Sequence, residues 1–137
     1  MSLVLDSSVA LTWIYADEGD ERTELVLQRI TQSEAWVPAI WRLEVANSLQ
    51  QGLKRGRIDL DDRDLGLADL SKLKIHVDPD TDAHAWPTTL DLSTRFTLTV
   101  YDAAYLELAM RRGLPLATLD KLLRAAATSA GVPLLGM

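Results

Sequence analysis

Short apolar runs alternate along the chain with longer segments in which apolar residues recur every three or four positions. The short runs predict buried strands, and the longer periodic segments predict amphipathic helices. The predicted strands are residues 2–5, 35–37, 74–77, 115–118 and 132–135. The predicted helices are residues 9–14, 20–30, 38–52 or 38–56, 59–73, 81–96, 101–112 and 120–129.

Strands this short, separated by longer helices, predict right-handed crossovers and a parallel sheet covered on both faces. We therefore expect an α/β fold with a central parallel sheet of about four to five short strands and helices on both faces. The length of 137 residues suits one hydrophobic core. A single domain over residues 1–137 is the expectation.

Several residues mark the predicted helix ends. Asp20 is suited to cap the second helix, and Pro38 suits the first position of the third. Pro87 lies inside the segment 81–96, which predicts a kink or two shorter helices there. Gly113 is expected to end the helix 101–112.

Charge and cysteine content limit the possible chemistry. Fourteen Lys and Arg stand against 20 Asp and Glu, a net charge of −6. A pI near 4.8 argues against holding nucleic acid through bulk charge, so such a partner would need local contacts. No cysteine is present, which excludes disulfides, Cys–zinc sites and thiol catalysis. No run approaches the ~20 apolar residues of a membrane span, and we expect a cytoplasmic protein without membrane contact.

Three carboxylates are predicted at one edge of the sheet. Asp6 follows the first strand, Asp120 follows the strand 115–118, and Asp102 lies in the first turn of the helix 101–112. Ligands of parallel α/β sheets bind at the carboxyl ends of the strands, so these side chains are candidates for a site. Helix capping is the alternative for each, because Asp is a good cap and Thr99-x-x-Asp102 resembles a capping box.

Glu44 is the fourth candidate, and periodicity does not single it out. It shares a helical stripe with Asn47, Ser48 and Gln51, which is also the pattern of a solvated face. If these acids do converge, their repulsion requires a cation or a proton. Oxygen ligands without Cys or His favour Mg²⁺ or Mn²⁺ over zinc.

Other catalytic motifs are missing from the sequence. It contains no phosphate-loop motif, no Gly-x-Gly-x-x-Gly dinucleotide motif and no Gly-x-Ser-x-Gly nucleophile motif. His76 lies on a predicted strand and His84 in a polar helix start, so both are interpreted as structural or solvated. Acid-based metal chemistry is the remaining candidate.

Four segments together resemble the PIN domain of VapC-type toxins. They are Leu-Val-Leu-Asp-Ser-Ser-Val-Ala-Leu at 3–11, Glu-Val-Ala-Asn at 44–47, Tyr-Asp-Ala-Ala-Tyr-Leu-Glu-Leu-Ala at 101–109 and Ala-Thr-Leu-Asp-Lys at 117–121. The resemblance implies a Mg²⁺- or Mn²⁺-dependent endoribonuclease that leaves a 5′ phosphate and a 3′ hydroxyl. It also implies a homodimer that is inhibited by a cognate VapB-type antitoxin.

The resemblance also implies roles for individual residues. Asp6, Glu44 and Asp102 match the family's metal-binding catalytic acids, and Asp120 matches its more variable fourth acid. Thr118 matches a hydroxyl position beside that acid. Ser8 and Asn47 match polar positions that would orient a carboxylate or a water molecule.

An acidic pocket repels RNA unless cations lie around it. The candidates for contacting RNA are Lys54, Arg55, Arg57, Lys121 and Arg124. The alternative is a solvated helix end, where basic residues complement the helix dipole. The same dipole interaction is the expectation for Arg111 and Arg112.

The roles of two tryptophans and the choice among function classes are not decided by the sequence. Trp13 and Trp41 could border a groove for an apolar antitoxin segment, or could pack in the core. A catalytically inactive PIN-like binding or interaction module is the alternative to the nuclease. A metal-dependent phosphatase or a receiver-like domain is less well supported, because an Asp-x-Asp start and a central Asp with a late Lys are missing.

Overall fold

A parallel β-sheet forms the centre of the protein. The computed structural model describes residues 2–15 and 17–136. Over these residues the sheet has five strands in the order β3-β2-β1-β4-β5, all paired in parallel. The strands are β1 (Leu3–Leu5), β2 (Ala35–Val37), β3 (Ile75–Val77), β4 (Leu116–Ala117) and β5 (Leu134–Leu135). The predicted α/β fold with a parallel sheet is confirmed, with each strand falling inside its predicted range.

Helices connect the strands. They are α1 (Ser7–Thr12), α2 (Glu21–Thr31), α3 (Trp41–Lys54), α4 (Leu60–Ser71), α5 (Thr81–His84), α6 (Leu90–Phe96), α7 (Val100–Arg112) and α8 (Lys121–Ser129). Asp20 caps α2 as predicted, accepting from the backbone N–H of Thr23 at 3.2 Å. Gly113 ends α7 in the left-handed conformation, with φ of 64°. Local cap signals therefore located these helix ends correctly.

Two helix starts depend on more than local sequence. The prediction that Pro38 opens the third helix is wrong, because α3 begins at Trp41. Residues 38–41 instead form a turn in which the backbone N–H of Trp41 donates to the Pro38 carbonyl at 3.0 Å, and the backbone N–H of Ala39 donates to Thr81 Oγ1 at 3.1 Å. The predicted break at Pro87 is confirmed: a π-helical turn, Ala85–Thr89, separates α5 from α6.

The core is centred on β1 and α7. Leu3, Val4 and Leu5 have no solvent exposure. Every residue from position 103 to position 109 of α7 is buried, and α7 contacts both β1 and β4. The central strand and the most buried helix therefore fix each other's positions, and each carries one of the candidate acids at its end.

Arg111 and Arg112, at the end of α7, enter a buried ionic cluster. The prediction that they only complement the helix dipole is wrong. Asp78, which is 2% exposed, accepts from Arg111 Nη2 at 2.6 Å and from Arg112 Nη2 at 3.2 Å. Arg111 also binds Glu107, one turn earlier on α7. These bonds tie the end of α7 to the residue that follows β3.

Core packing accounts for Trp41. It is 5% exposed, and its indole Nε1 is buried without a hydrogen-bond partner among the described residues. It also lines a cavity of about 460 Å³ together with Leu67 and Leu70. Trp13 is half-buried and donates from Nε1 to the Thr23 carbonyl at 3.1 Å. An antitoxin groove at these tryptophans stays a prediction.

Gly52 allows α3 to pack closely against Tyr15, which follows α1. A Cβ atom at this position would overlap the hydroxyl oxygen of Tyr15, which donates to the Ser48 carbonyl at 3.0 Å. We expect Gly52→Ala to lower the free energy of unfolding by ~2 kcal/mol, because overpacking outweighs alanine's better helix propensity. Urea denaturation measures this loss. Tyr15→Phe should recover part of it, and an equal loss in both backgrounds would contradict the proposed clash.

A search for membrane-spanning helices was negative. Among residues 2–15 and 17–136, every helix is too short or too polar to cross a bilayer.

Candidate active site

Asp6 lies where β1 ends, and two hydroxyls hold its carboxylate. Its side chain is 5% exposed. Oδ2 accepts from Ser8 Oγ at 2.7 Å and from Thr118 Oγ1 at 2.7 Å. Although Asp6 occupies the N-cap position of α1, its side chain makes no capping bond to that helix. Helix capping therefore does not explain this buried acid.

The same hydroxyls connect the ends of β1 and β4. Thr118 has no solvent exposure, and its Oγ1 accepts from the backbone N–H of Asp120 at 3.1 Å. Ser8 Oγ accepts from the backbone N–H of Leu119 at 3.0 Å. Each hydroxyl thus donates to Asp6 and accepts from the loop after β4. This network fixes Asp6 against the segment that carries Asp120.

Asp120 does act as a cap. Its carboxylate accepts from the backbone N–H of Leu123 at 2.9 Å, at the start of α8. The side chain is half-buried, and its charge contributes to raising the pKa of Asp6 and of Asp102. Capping and proximity to the other acids therefore coexist at this residue.

Asp102 lies in the first turn of α7, half-buried. Its backbone N–H donates to the Oγ1 of Thr99, the N-cap residue, at 3.1 Å. Burial raises the pKa of the Asp102 carboxyl above its usual value, and the charges of Asp120 and Asp6 raise it further. The start of α7 therefore brings this acid to the ends of β1 and β4.

Glu44 reaches the same region from α3. It is half-buried, and its Oε1 accepts from the hydroxyl of Tyr105, a residue of α7 with no solvent exposure. Burial raises the pKa of Glu44, and the charges of Asp6 and Asp102 add to the rise. A solvated face is therefore the wrong interpretation for Glu44, but Asn47, one turn later, is exposed.

The four acids influence one another electrostatically. Burial is the main reason that the pKa of Asp6 is raised, and the nearby charge of Asp120 contributes. Carboxylate and hydroxyl oxygens are the donors that Mg²⁺ and Mn²⁺ prefer, so the residues present fit such an ion. Within the described ranges, however, no three His, Asp or Glu side chains already stand at the spacing of a formed metal site.

The structure separates the predicted RNA-contacting residues into exposed side chains and side chains that already bind other groups of the protein. Lys54, Arg55 and Lys121 are exposed. Arg57 binds Asp17 at 3.1 Å and lies over the ring of Tyr15, 4.2 Å from its centroid.

Arg124 faces inward. Its Nη1 donates to the carbonyl of Thr118 at 2.7 Å and to that of Leu135 at 3.0 Å. These bonds support the loop after β4 and join it to β5. Arg124 therefore has a structural role, and its contact with RNA stays a prediction.

Tyr105 is the site residue that the sequence did not reveal. It follows Asp102 by three positions, which puts both residues on one side of α7. Burial raises the pKa of its hydroxyl, and the negative charges of Asp6 and Glu44 raise it further. A tyrosine in an apolar stripe of a helix has the same sequence pattern as an ordinary core residue. Only the three-residue spacing between Asp102 and Tyr105 could have indicated that Tyr105 belongs to the site.

The chain belongs to the PIN domain family, whose model matches residues 3–128. It is 34% identical over 126 residues to a protein named Ribonuclease VapC3 from Pyrobaculum aerophilum, covering 88% of this chain and 91% of that protein. The resemblance to VapC-type PIN domains is therefore confirmed.

Solved structures share the fold at lower identity. PAE2754 from Pyrobaculum aerophilum aligns with a TM-score of 0.68 and 23% identity, over 92% of this chain and 84% of its own. VapBC2 from Rickettsia felis was solved bound to a DNA fragment from its promoter. It aligns with a TM-score of 0.62 and 15% identity, over 98% of this chain and 97% of its own. FitAcB from Neisseria gonorrhoeae aligns with a TM-score of 0.61 and 17% identity, over 98% of this chain and 96% of its own.

Proposed function

We propose that this chain is a Mg²⁺- or Mn²⁺-dependent endoribonuclease, the VapC-like toxin of a toxin–antitoxin pair. The observation that carries the proposal is the group of buried and half-buried acids at the carboxyl edge of the sheet, where burial and the charges of neighbouring acids raise the pKa of Asp6, Glu44 and Asp102. Such repulsion is offset when a divalent cation is bound. Membership of the PIN family and the likeness to Ribonuclease VapC3 support this chemistry.

The proposed roles follow the geometry. Asp6, Glu44 and Asp102 would hold the ion, with Asp120 as a fourth acid. In that position Mg²⁺ or Mn²⁺ would supply Lewis-acid polarisation of the scissile phosphate and a hydroxide nucleophile at neutral pH. Ser8 and Thr118 orient the Asp6 carboxylate through the bonds to its Oδ2. Asn47, exposed one turn after Glu44, is proposed to orient a carboxylate or a water molecule.

RNA approach requires local positive charge, since the whole chain carries −6. Lys54 and Arg55 at the end of α3, and Lys121 beside Asp120, are exposed and suited to bind phosphates. Arg57 is a weaker candidate because it already pairs with Asp17. We further propose a homodimer, on the strength of the resemblance to VapC-type toxins alone, and a cognate VapB-like antitoxin, for which the alignments with VapBC2 and FitAcB are the support.

Cleavage of RNA by the purified chain tests this function. With Mn²⁺, the protein should cut a structured RNA and leave a 5′ phosphate that a phosphate-dependent exonuclease recognises. Excess chelator should stop the reaction, and added Mn²⁺ should restore it. Sequencing of the new 5′ ends after brief induction in cells would identify the target. Metal binding without cleavage would favour the inactive binding module instead.

Metal binding should also stabilise the fold. An ion that binds only the folded protein stabilises it by ~2.7 kcal/mol at a hundredfold excess over Kd. We expect thermal melts with Mn²⁺ to shift upward by several degrees, and Na⁺ at matched ionic strength to serve as the control for non-specific effects. A melting temperature unchanged by Mn²⁺ would contradict the proposed metal site.

A further inference from the structure

Tyr105 joins two helices that each carry a candidate metal-binding acid. It belongs to α7, one turn after Asp102, and its hydroxyl donates to Glu44 Oε1 on α3. The Tyr105 side chain has no solvent exposure. The bond therefore joins a buried phenol to a half-buried carboxylate, and a hydrogen bond to a charged acceptor is strong.

The hydrogen bond from Tyr105 restricts the conformations of the Glu44 side chain. A glutamate side chain has three rotatable bonds, so an unrestrained Glu44 on the half-exposed side of α3 would sample many orientations. Tyr105 donates to Oε1 and leaves Oε2 available as a ligand. Because the phenol is anchored in the core beside Asp102, the restrained Glu44 carboxylate stays near Asp6 and Asp102, whose charges it feels.

We propose that Tyr105 is a positioning residue that holds Glu44 in the orientation needed to bind the divalent cation. This inference rests on the proposed function. Residues that hydrogen-bond a metal-binding carboxylate typically change metal affinity or activity 10–100-fold when removed. Tyr105 would act in this way, while touching neither the ion nor the RNA.

The chain offers a matched control in Tyr15. This residue is 4% exposed, and its hydroxyl also donates to α3, but to the backbone carbonyl of Ser48 rather than to a carboxylate. Tyr105→Phe and Tyr15→Phe therefore each remove one buried hydroxyl that contacts the same helix. Only the first removes a bond to Glu44.

Calorimetric titration of the purified full chain with Mn²⁺ tests the proposal. We expect Tyr105→Phe to weaken Mn²⁺ binding ~10-fold and Tyr15→Phe to change it less than ~2-fold. In a Glu44→Gln background, Tyr105→Phe should cause no further loss, because its effect passes through the carboxylate. Equal Mn²⁺ affinity in Tyr105→Phe and wild type would overturn the inference, as would equal losses in Tyr105→Phe and Tyr15→Phe.

A second measurement keeps the inference testable if Tyr105→Phe does not fold. The hydroxyl proton of a buried phenol bonded to a carboxylate should give a protected, downfield NMR resonance. It should persist in Asp102→Asn and disappear in Glu44→Ala, and its absence from wild type would refute the contact. The two proposals can fail separately: wild type that binds no Mn²⁺ refutes the metal site itself, whereas a normal Mn²⁺ response in Tyr105→Phe refutes only the positioning role.

Discussion

Asp102→Asn should reduce Mn²⁺-dependent RNA cleavage at least ~10³-fold, equivalent to roughly 4 kcal/mol of transition-state stabilisation. The amide keeps the size of the side chain but removes the charge that a divalent ion needs. The fold should survive, because Thr99 caps α7 through the backbone N–H of residue 102, which the substitution does not alter. Cleavage rates of purified variants measure the loss.

The same substitution should stabilise the metal-free protein. The pKa of Asp102 is raised in the folded state, mainly by burial and then by the charges of Asp120 and Asp6. Because the pKa is raised, the contribution of the protonated Asp102 carboxyl to the free energy of unfolding is fully present below the usual pKa of 3.8. This contribution is lost as the pH rises through the folded-state pKa. At neutral pH the ionised group therefore costs stability, and Asn removes that cost.

A surface substitution separates these effects from a simple change in net charge. Asp61 lies exposed in the first turn of α4, and Asp61→Asn changes the total charge equally. It should leave the cleavage rate within ~2-fold and should not raise the melting temperature of the metal-free protein. Full cleavage by purified Asp102→Asn would show that the activity belongs to another site or to a contaminating nuclease.

Local signals in the sequence predicted most of the fold. Asp20 and Gly113 mark helix ends because capping is satisfied within a few residues, and Pro87 disturbs its helix wherever that helix lies. Pro38 misled for the opposite reason. Residues 38–41 form a turn instead of the first helical turn, and the backbone N–H of Ala39 in that turn donates to Thr81, a residue distant in the chain that only tertiary structure brings near.

The candidate site was predictable to a different degree at each residue. Asp6 could be located as the end of a strand, but its buried state and its bonds to Ser8 and Thr118 depend on the packing of β1 against β4. Glu44 came from the family resemblance, since helical periodicity favours a solvated face there. Tyr105 was missed because its apolar surroundings are those of a core residue.

Arg111 and Arg112 illustrate the limit of charge patterns. Basic residues at a helix end suit the helix dipole, and nothing near them in the sequence identifies Asp78 as a partner. The pairing arises because α7 ends close to the residue that follows β3. The ion pairs of Asp78 with these arginines matter for stability because Asp78 is buried. A sequence pattern does not show that a single charged residue is buried.

Asp78→Ala should lower the free energy of unfolding by ~3 kcal/mol, a larger loss than we expect for Gly52→Ala. Asp78 is 2% exposed and accepts from Arg111, from Arg112 and from Thr81 Oγ1 at 3.0 Å. Its removal leaves the two half-buried guanidinium groups without their shared carboxylate, although Arg111 keeps its bonds to Glu107. Thr81 in turn accepts from Ala39, so the start of α3 should loosen as well.

An exposed pair and a pH series give this prediction its controls. Asp64→Ala removes an exposed partner of Arg63 and should cost no more than ~0.5 kcal/mol. The arginines hold the pKa of Asp78 at about 2, below the usual 3.8, even though burial opposes them. A lowered pKa gives stability that is present above 3.8 and is lost as the pH falls towards 2. Urea denaturation should therefore show wild type and Asp78→Ala converging as the pH falls through this interval, and a constant difference between them would contradict an ionic origin.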